Sequence, residues 1–167
     1  TLTEVFSFRE HGHTLEECAR IMSAPLEGFR ERWVESYQER ATGITGTAAS
    51  AIGGCCEALG IEVDARRLEA AASVHRAFFH RALIPRQEEL EELGKLRGAG
   101  VRIGVISDCT PPVPELWAET PFEALVAAPV FSCDVGVCKP DARIYGIACK
   151  RLGATPKRCV FVGDGGS

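Results

Sequence analysis

The apolar run Cys159-Val160-Phe161-Val162 passes directly into Gly163-Asp164-Gly165-Gly166-Ser167. Four apolar residues, three of them β-branched or aromatic, have the length and chemistry of a short buried strand. Open α/β sheets place their ligands just past the carboxyl ends of such strands. A carboxylate there, on a backbone that glycine lets approach closely, suits a hard cation such as Mg2+. Asp164 reads equally as a turn residue in a Gly-rich bend. The choice between the two depends on what the rest of the chain places beside it.

A chain of 167 residues makes one ordinary domain or two small ones. With 46% apolar and 25% charged residues it has the balance of a globular protein, not a disordered one. A net charge of −4 without runs of like charge argues against a nucleic-acid partner. The longest apolar run, Ala124 to Phe131, is far short of the roughly 20 residues a membrane-spanning helix needs. No signal peptide is visible. The chain starts at Thr1 without an initiator Met and stops in a glycine turn, so both ends read as cut.

Eight cysteines invite a disulfide framework. Yet Cys18, Cys55, Cys149 and Cys159 fall on apolar stripes or in strands, where reduced Cys acts as a small hydrophobe. No C-x-x-C occurs, and Cys133 and Cys138 have no histidine near them, so zinc is not expected. A reduced, cytoplasmic protein is the expectation.

Thr14-Leu15-Glu16-Glu17 has the capping-box pattern and predicts a helix to about Met22. Leu26, Phe29, Trp33 and Tyr37 then share one face of a helix that starts at Pro25 and ends near Gly43. Further helices are predicted over 47–59 and, capped by Asp64, along the stripe Leu68, Ala72, His75, Phe79 and Leu83. Residues 1–84 therefore read as an all-helical domain. From Pro85 the pattern alternates. A helix over 87–97 turns Leu90, Leu93 and Leu96 inward, and a strand follows over 101–106. Residues 113–124 read as irregular or a short helix, before a strand from about Val126 to Phe131. A helix capped by Asp141 buries Ile144, Ile147, Ala148 and Leu152, and the terminal strand closes the chain. Alternation of this kind predicts a parallel sheet, here in a Rossmann-like α/β domain over 85–167.

Carboxyl ends of parallel strands share one rim, so Ser107 and Asp164 belong together, with Lys139 in a loop before a helix. A hydroxyl, an ammonium and a carboxylate on one rim suit a phosphoryl group and its metal. Singly, Ser107 reads as a turn cap and Lys139 as a solvated lysine. Their order along the chain favours the shared site.

The ordered set Ile84-Pro85, Leu90-x-x-Leu93-x-x-Leu96-x-x-x-Gly100, Val101 to Ser107, Val137-Cys138-Lys139-Pro140-Asp141-x-x-Ile144-Tyr145, Leu152-Gly153 and Val160 to Asp164 resembles the haloacid-dehalogenase superfamily of hydrolases. The match covers 84–167; residues 1–83 resemble the helical cap that many members insert after their first strand. The resemblance implies that Ser107 bonds the transferring group and that Lys139 steadies the nucleophile and phosphoryl charge. It also implies that Asp164 binds Mg2+, and it puts Asp108 where many relatives have Asn, beside substrate. The substrate implied is a small phosphorylated metabolite. One departure is large: the family's first motif, a D-x-D that supplies the nucleophile, occurs nowhere in the 167 residues. Thr1-Leu2 reads as the tail of such a motif, or the motif lies farther upstream. In the family that strand sits at the sheet centre, between the strands carrying Ser107 and Asp164. These 167 residues alone are thus expected to lack an aspartyl-phosphate nucleophile and to have unpaired strand edges.

His11, His13, Trp33, Tyr37, Arg40 and His75 are further pocket candidates. Trp33 and Tyr37 share the apolar stripe and His75 sits among apolar neighbours, so core packing is expected for these three. Arg40 is the candidate anion contact, because its fork of donors suits phosphate. Haloacid dehalogenation and a non-catalytic binding scaffold remain open beside phosphatase chemistry. A phosphoacceptor receiver domain is disfavoured because an Asp follows the lysine on a later strand. A dinucleotide fold is disfavoured because no G-x-G-x-x-G opens a helix.

Overall fold

A computed structural model describes residues 6–163. The first half of the chain forms α1 (Phe8–Met22), α2 (Leu26–Glu35), α3 (Tyr37–Ala41), α4 (Ala48–Ala58) and α5 (Ala65–Ala82). The second half runs α6 (Gln87–Gly98), β1 (Gly104–Ser107), α7 (Pro112–Trp117), α8 (Phe122–Leu125) and β2 (Ala128–Phe131). It closes with α9 (Ser132–Val135), α10 (Ala142–Leu152) and a 3-10 turn at Pro156–Arg158. No helix is long and apolar enough to cross a membrane among the described residues.

The helical half is held by interlocking apolar stripes. Leu15, Cys18, Ala19 and Met22 fall three or four residues apart on α1 and are buried. They meet Phe29 and Trp33 of α2, Ala51, Ile52, Cys55 and Cys56 of α4, and Ala71 of α5. Cys18, Cys55 and Cys56 serve there as small hydrophobes, as their positions on the stripes predict. Thr47 and Asp64 cap α4 and α5 by accepting from the amides of Ser50 and Arg67.

The α/β character is carried by β1 and β2, which pair in parallel from Gly104↔Ala128 to Ser107↔Phe131. α10 covers them, burying Ile144 and Ala148 against Val130 and Val137. The packing is close at Gly104, where an added Cβ would stand 3.0 Å from the Leu152 side chain. Arg102 donates to the carbonyls of Leu152 and Gly153, closing the carboxyl end of α10. Phe78 and Phe79 of α5 pack with Leu116 of α7 in a third core joining the two halves. Arg76 adds an ion pair to Glu119 at 2.6 Å across the same junction.

Four expectations change. α1 starts at Phe8, not Thr14, because Ser7 accepts from the Glu10 amide at 3.2 Å and is the cap. Ser7-x-x-Glu10 is itself a capping-box pattern, and Thr14 instead bonds the Glu10 carbonyl from mid-helix. The helix predicted from 25 to 43 is broken at Ser36, whose hydroxyl donates to the Arg32 carbonyl at 2.8 Å. The stripe of α6 is only half covered, since two strands offer a helix too little surface; Leu96 stays 46% exposed. Finally, residues 159–162 form no strand, and Val160 and Val162 are 89% and 85% exposed. A strand needs a neighbour for its amides and carbonyls, and no described segment lies alongside this one.

These burial contrasts set a test. Phe29 is fully buried, so Phe29→Ala is expected to cost about 3–5 kcal/mol. Leu96→Ala is expected to stay within about 1 kcal/mol. Urea denaturation followed by circular dichroism separates the two; equal losses would contradict the packing described.

Candidate active-site rim

β1 and β2 run the same way, so the residues leaving Ser107 and Phe131 emerge on one rim. The buried Ser132 hydroxyl ties the two exits together. It accepts from the Cys109 amide at 3.0 Å and donates to the Cys109 carbonyl at 3.2 Å. One step further out, Asp108 Oδ1 accepts from the Lys139 amide at 2.9 Å. That bond draws the loop before α10 against the end of β1. Ser107 and Lys139, remote in sequence, therefore belong to one half-buried cluster around Asp108. A hydroxyl and an ammonium carried on neighbouring segments of one rim have the chemistry to neutralise and orient an anion.

Asp108 has a job that the resemblance did not suggest: one of its carboxylate oxygens holds the Lys139 backbone. A short acid directly after a strand was the available signal, but its partner is 31 residues away. Asp164 lies outside the described residues. Among the described residues no group of three or more His, Cys, Asp or Glu could hold a metal ion. The Mg2+ expectation therefore rests on Asp164 alone, and no chemical step is derived through a metal here.

α3 and the turn after it lie over this rim. Gly43 has a φ of +76°, and an added Cβ would stand 1.9 Å from the Cys133 carbonyl oxygen. Only glycine fits both the backbone angle and the contact. Ala41 accepts from the Cys138 thiol at 3.7 Å. Tyr37, one turn earlier on the same face of α3, is 44% exposed and is not a core residue. The break at Ser36 takes it off the Phe29–Trp33 stripe. Burial pushes the Tyr37 hydroxyl up, and the neighbouring Cys138 and Asp108 add to the shift.

Arg40 occupies a different environment. It is 4% exposed, its guanidinium lies 3.9 Å from the Trp33 ring centroid, and Nη1 donates to Trp33 O and Ser36 Oγ, each at 2.6 Å. Its Nε has no partner. Burial lowers its pKa to about 10. His75 packs edge-on to Trp33 at 5.1 Å and to His11 at 5.9 Å between ring centroids. The position of His75 in the core is as predicted, but neither of its ring nitrogens has a hydrogen-bond partner. His13 is exposed on α1 and joins no cluster.

Burial first, and then neighbouring charge, lowers His75 to about 3 and His11 to about 4 from an ordinary 6.5. Both rings are neutral in the folded chain, whereas an unfolded chain charges them near pH 6.5. The unfolded state thus binds more protons below pH 6.5, and stability is lost as the pH falls from there towards 4 and 3. His75→Leu is expected to flatten that decline by about one proton, near 1.4 kcal/mol per pH unit. Urea midpoints between pH 7 and 4 decide it, and an unchanged slope would exclude His75 as a source. Asp108→Ala is expected to cost about 1–3 kcal/mol, and Asp108→Asn, which keeps an acceptor oxygen, less than half as much.

A family model described as haloacid dehalogenase-like hydrolase matches residues 2–167. An (S)-2-haloacid dehalogenase of Pseudomonas fluorescens is 28% identical over 140 residues, 78% of this chain. One of Pseudomonas putida is 27% identical over the same length. The chain spans 56% of the length of each of these relatives. By its match across nearly the whole sequence, and by a parallel strand pair that carries Ser107 beside the Lys139 loop, the chain belongs to the haloacid dehalogenase-like hydrolases.

Proposed function

We propose that these residues form part of a phosphomonoester phosphatase that acts through an aspartyl-phosphate. The observation that carries this reading is the Asp108–Lys139 hydrogen bond, which brings the Lys139 backbone, and with it the loop before α10, against the strand end bearing Ser107. Ser107 donates to a phosphoryl oxygen, and Lys139 offsets the charge of the phosphoryl group and the attacking carboxylate. That carboxylate belongs to a D-x-D the 167 residues do not contain, so these residues by themselves have no nucleophile. Residues 1–84 act as a helical cap on the α/β core of 85–167, with α3 as the element facing the rim. Arg40, with its fork of donors, is the cap's anion contact, a role that requires its guanidinium to leave the Trp33 face. The Mg2+ requirement follows from Asp164 in its Gly-rich turn, and the substrate is a small phosphorylated metabolite in the cytoplasm.

A specific observation favours a second reading. Both Pseudomonas relatives are named for removing halide from (S)-2-haloacids. The same hydroxyl and ammonium would then hold a substrate carboxylate in place of a phosphate.

One screen decides between them. The full-length gene product is assayed against a phosphomonoester panel with Mg2+, and against (S)-2-chloropropionate for chloride release. Phosphate release that EDTA abolishes supports the first reading; chloride release insensitive to EDTA supports the second. In whichever assay responds, Lys139→Ala and Ser107→Ala are each expected to lower kcat about a hundredfold or more. Unimpaired turnover in either variant would remove that residue from the site, and phosphatase activity from residues 1–167 alone would refute the missing nucleophile.

A further inference from the structure

Two thiols stand at the rim with no part in the chemistry above. Cys109 follows Ser107 by two residues and Cys133 follows β2 by two, and their sulfurs are 4.0 Å apart. Ser132 holds them in place: its hydroxyl bonds the Cys109 amide and carbonyl, and Cys133 is its chain neighbour. Both thiols are free. Cys109 is 8% exposed and Cys133 is half-buried, so one sulfur meets solvent while the other waits behind it. We propose that Cys109 and Cys133 are an oxidation site, a dithiol that closes to a disulfide and shifts the strand end bearing Ser107.

Geometry and chemistry point the same way. A disulfide needs sulfurs about 2.05 Å apart, which a rotation at each Cβ supplies when the backbones are already adjacent. The pair shares a hydrogen bond that favours thiolate at Cys133, while the same contact and burial push Cys109 up. Cys133 is also the less buried of the two, so it is the first to meet a reagent disulfide and the first nucleophile. With glutathione disulfide as oxidant, the Cys133 thiolate attacks one sulfur, forms a mixed disulfide and releases one glutathione thiolate. Cys109 then gives up its proton, attacks Cys133 Sγ and releases the second glutathione thiolate. The protein loses two electrons to the reagent disulfide, and the two thiol protons end on the two glutathiones.

The closure affects two things at once. It pulls on the exit of β1 next to Ser107, and it moves the residue whose carbonyl abuts Gly43 after α3. The consequence for turnover rests on the reading of Ser107 given under Proposed function; the cross-link itself does not. A second close pair, Cys149 and Cys159 at 3.9 Å, lies along α10 from its start at the rim, and its oxidation leaves Ser107 untouched.

The test uses the full-length protein carrying Cys149→Ser and Cys159→Ser. It is incubated with glutathione disulfide under native conditions and mapped by non-reducing peptide mass spectrometry. The expected result is a peptide joining Cys109 to Cys133, a loss of two titratable thiols and full reversal by dithiothreitol. A glutathione adduct that stays on Cys133, or an unchanged thiol titre, would overturn the proposal. Cys133→Ser is expected to leave Cys109 reduced; Cys133 is half-buried, so this variant spares the core. Where the screen above yields a substrate, oxidation is expected to lower turnover about tenfold or more, since misplacement by ~1 Å can cost a hundredfold. A mapped cross-link with unchanged turnover would overturn the effect on Ser107, and a failed screen leaves the mapping decisive for the cross-link.

Discussion

The parallel pairing of β1 with β2 sets Ser107 level with Phe131, and everything at the rim depends on that register. Antiparallel pairing would send the two exits to opposite edges. Four residue pairs are too few to fix the loops beyond them. Side chains complete the task, with Ser132 bridging the first exit residues and Asp108 reaching the Lys139 loop. Each of these acceptors satisfies an amide that would otherwise be partly buried and unpaired.

The helical half depends on burial more than on charge. Its ion pairs, such as Arg20–Glu17 and Arg32–Glu35, lie between exposed side chains and contribute about 0–1 kcal/mol each. The exception is Arg40, whose guanidinium leaves water for the face of Trp33 and two oxygens. Burial, with the Arg40 charge as a smaller contribution, keeps both neighbouring histidine rings neutral, so three basic groups share one apolar compartment with a single charge. The unpartnered nitrogens of His75 and Arg40 are the cost of that arrangement. They leave donors and acceptors next to the element that faces the rim.

Apolar sequence stays uncovered in two places among the described residues. Val160, Phe161 and Val162 are exposed, and α6 has no buried residue. Both have the composition of elements that pack on a wider sheet. Alternating apolar residues predict a strand, but hydrogen bonding to a neighbour makes one.

Periodicity and caps were enough to read the helical character of the first half, the strands leading to Ser107 and Ser132, and the caps at Asp64 and Asp141. Such features are local: a stripe, a cap and a turn residue act within a few positions of each other. The order of Ser107 and Lys139 along the chain likewise sufficed to name the family. Tertiary structure decided what crosses long gaps in sequence. It joined Asp108 to an amide 31 residues away, set the Cys133 carbonyl against Gly43, and brought Cys109 to Cys133. No spacing rule reaches such pairs, because their partners are chosen by packing and by the need of each buried polar group for a complement.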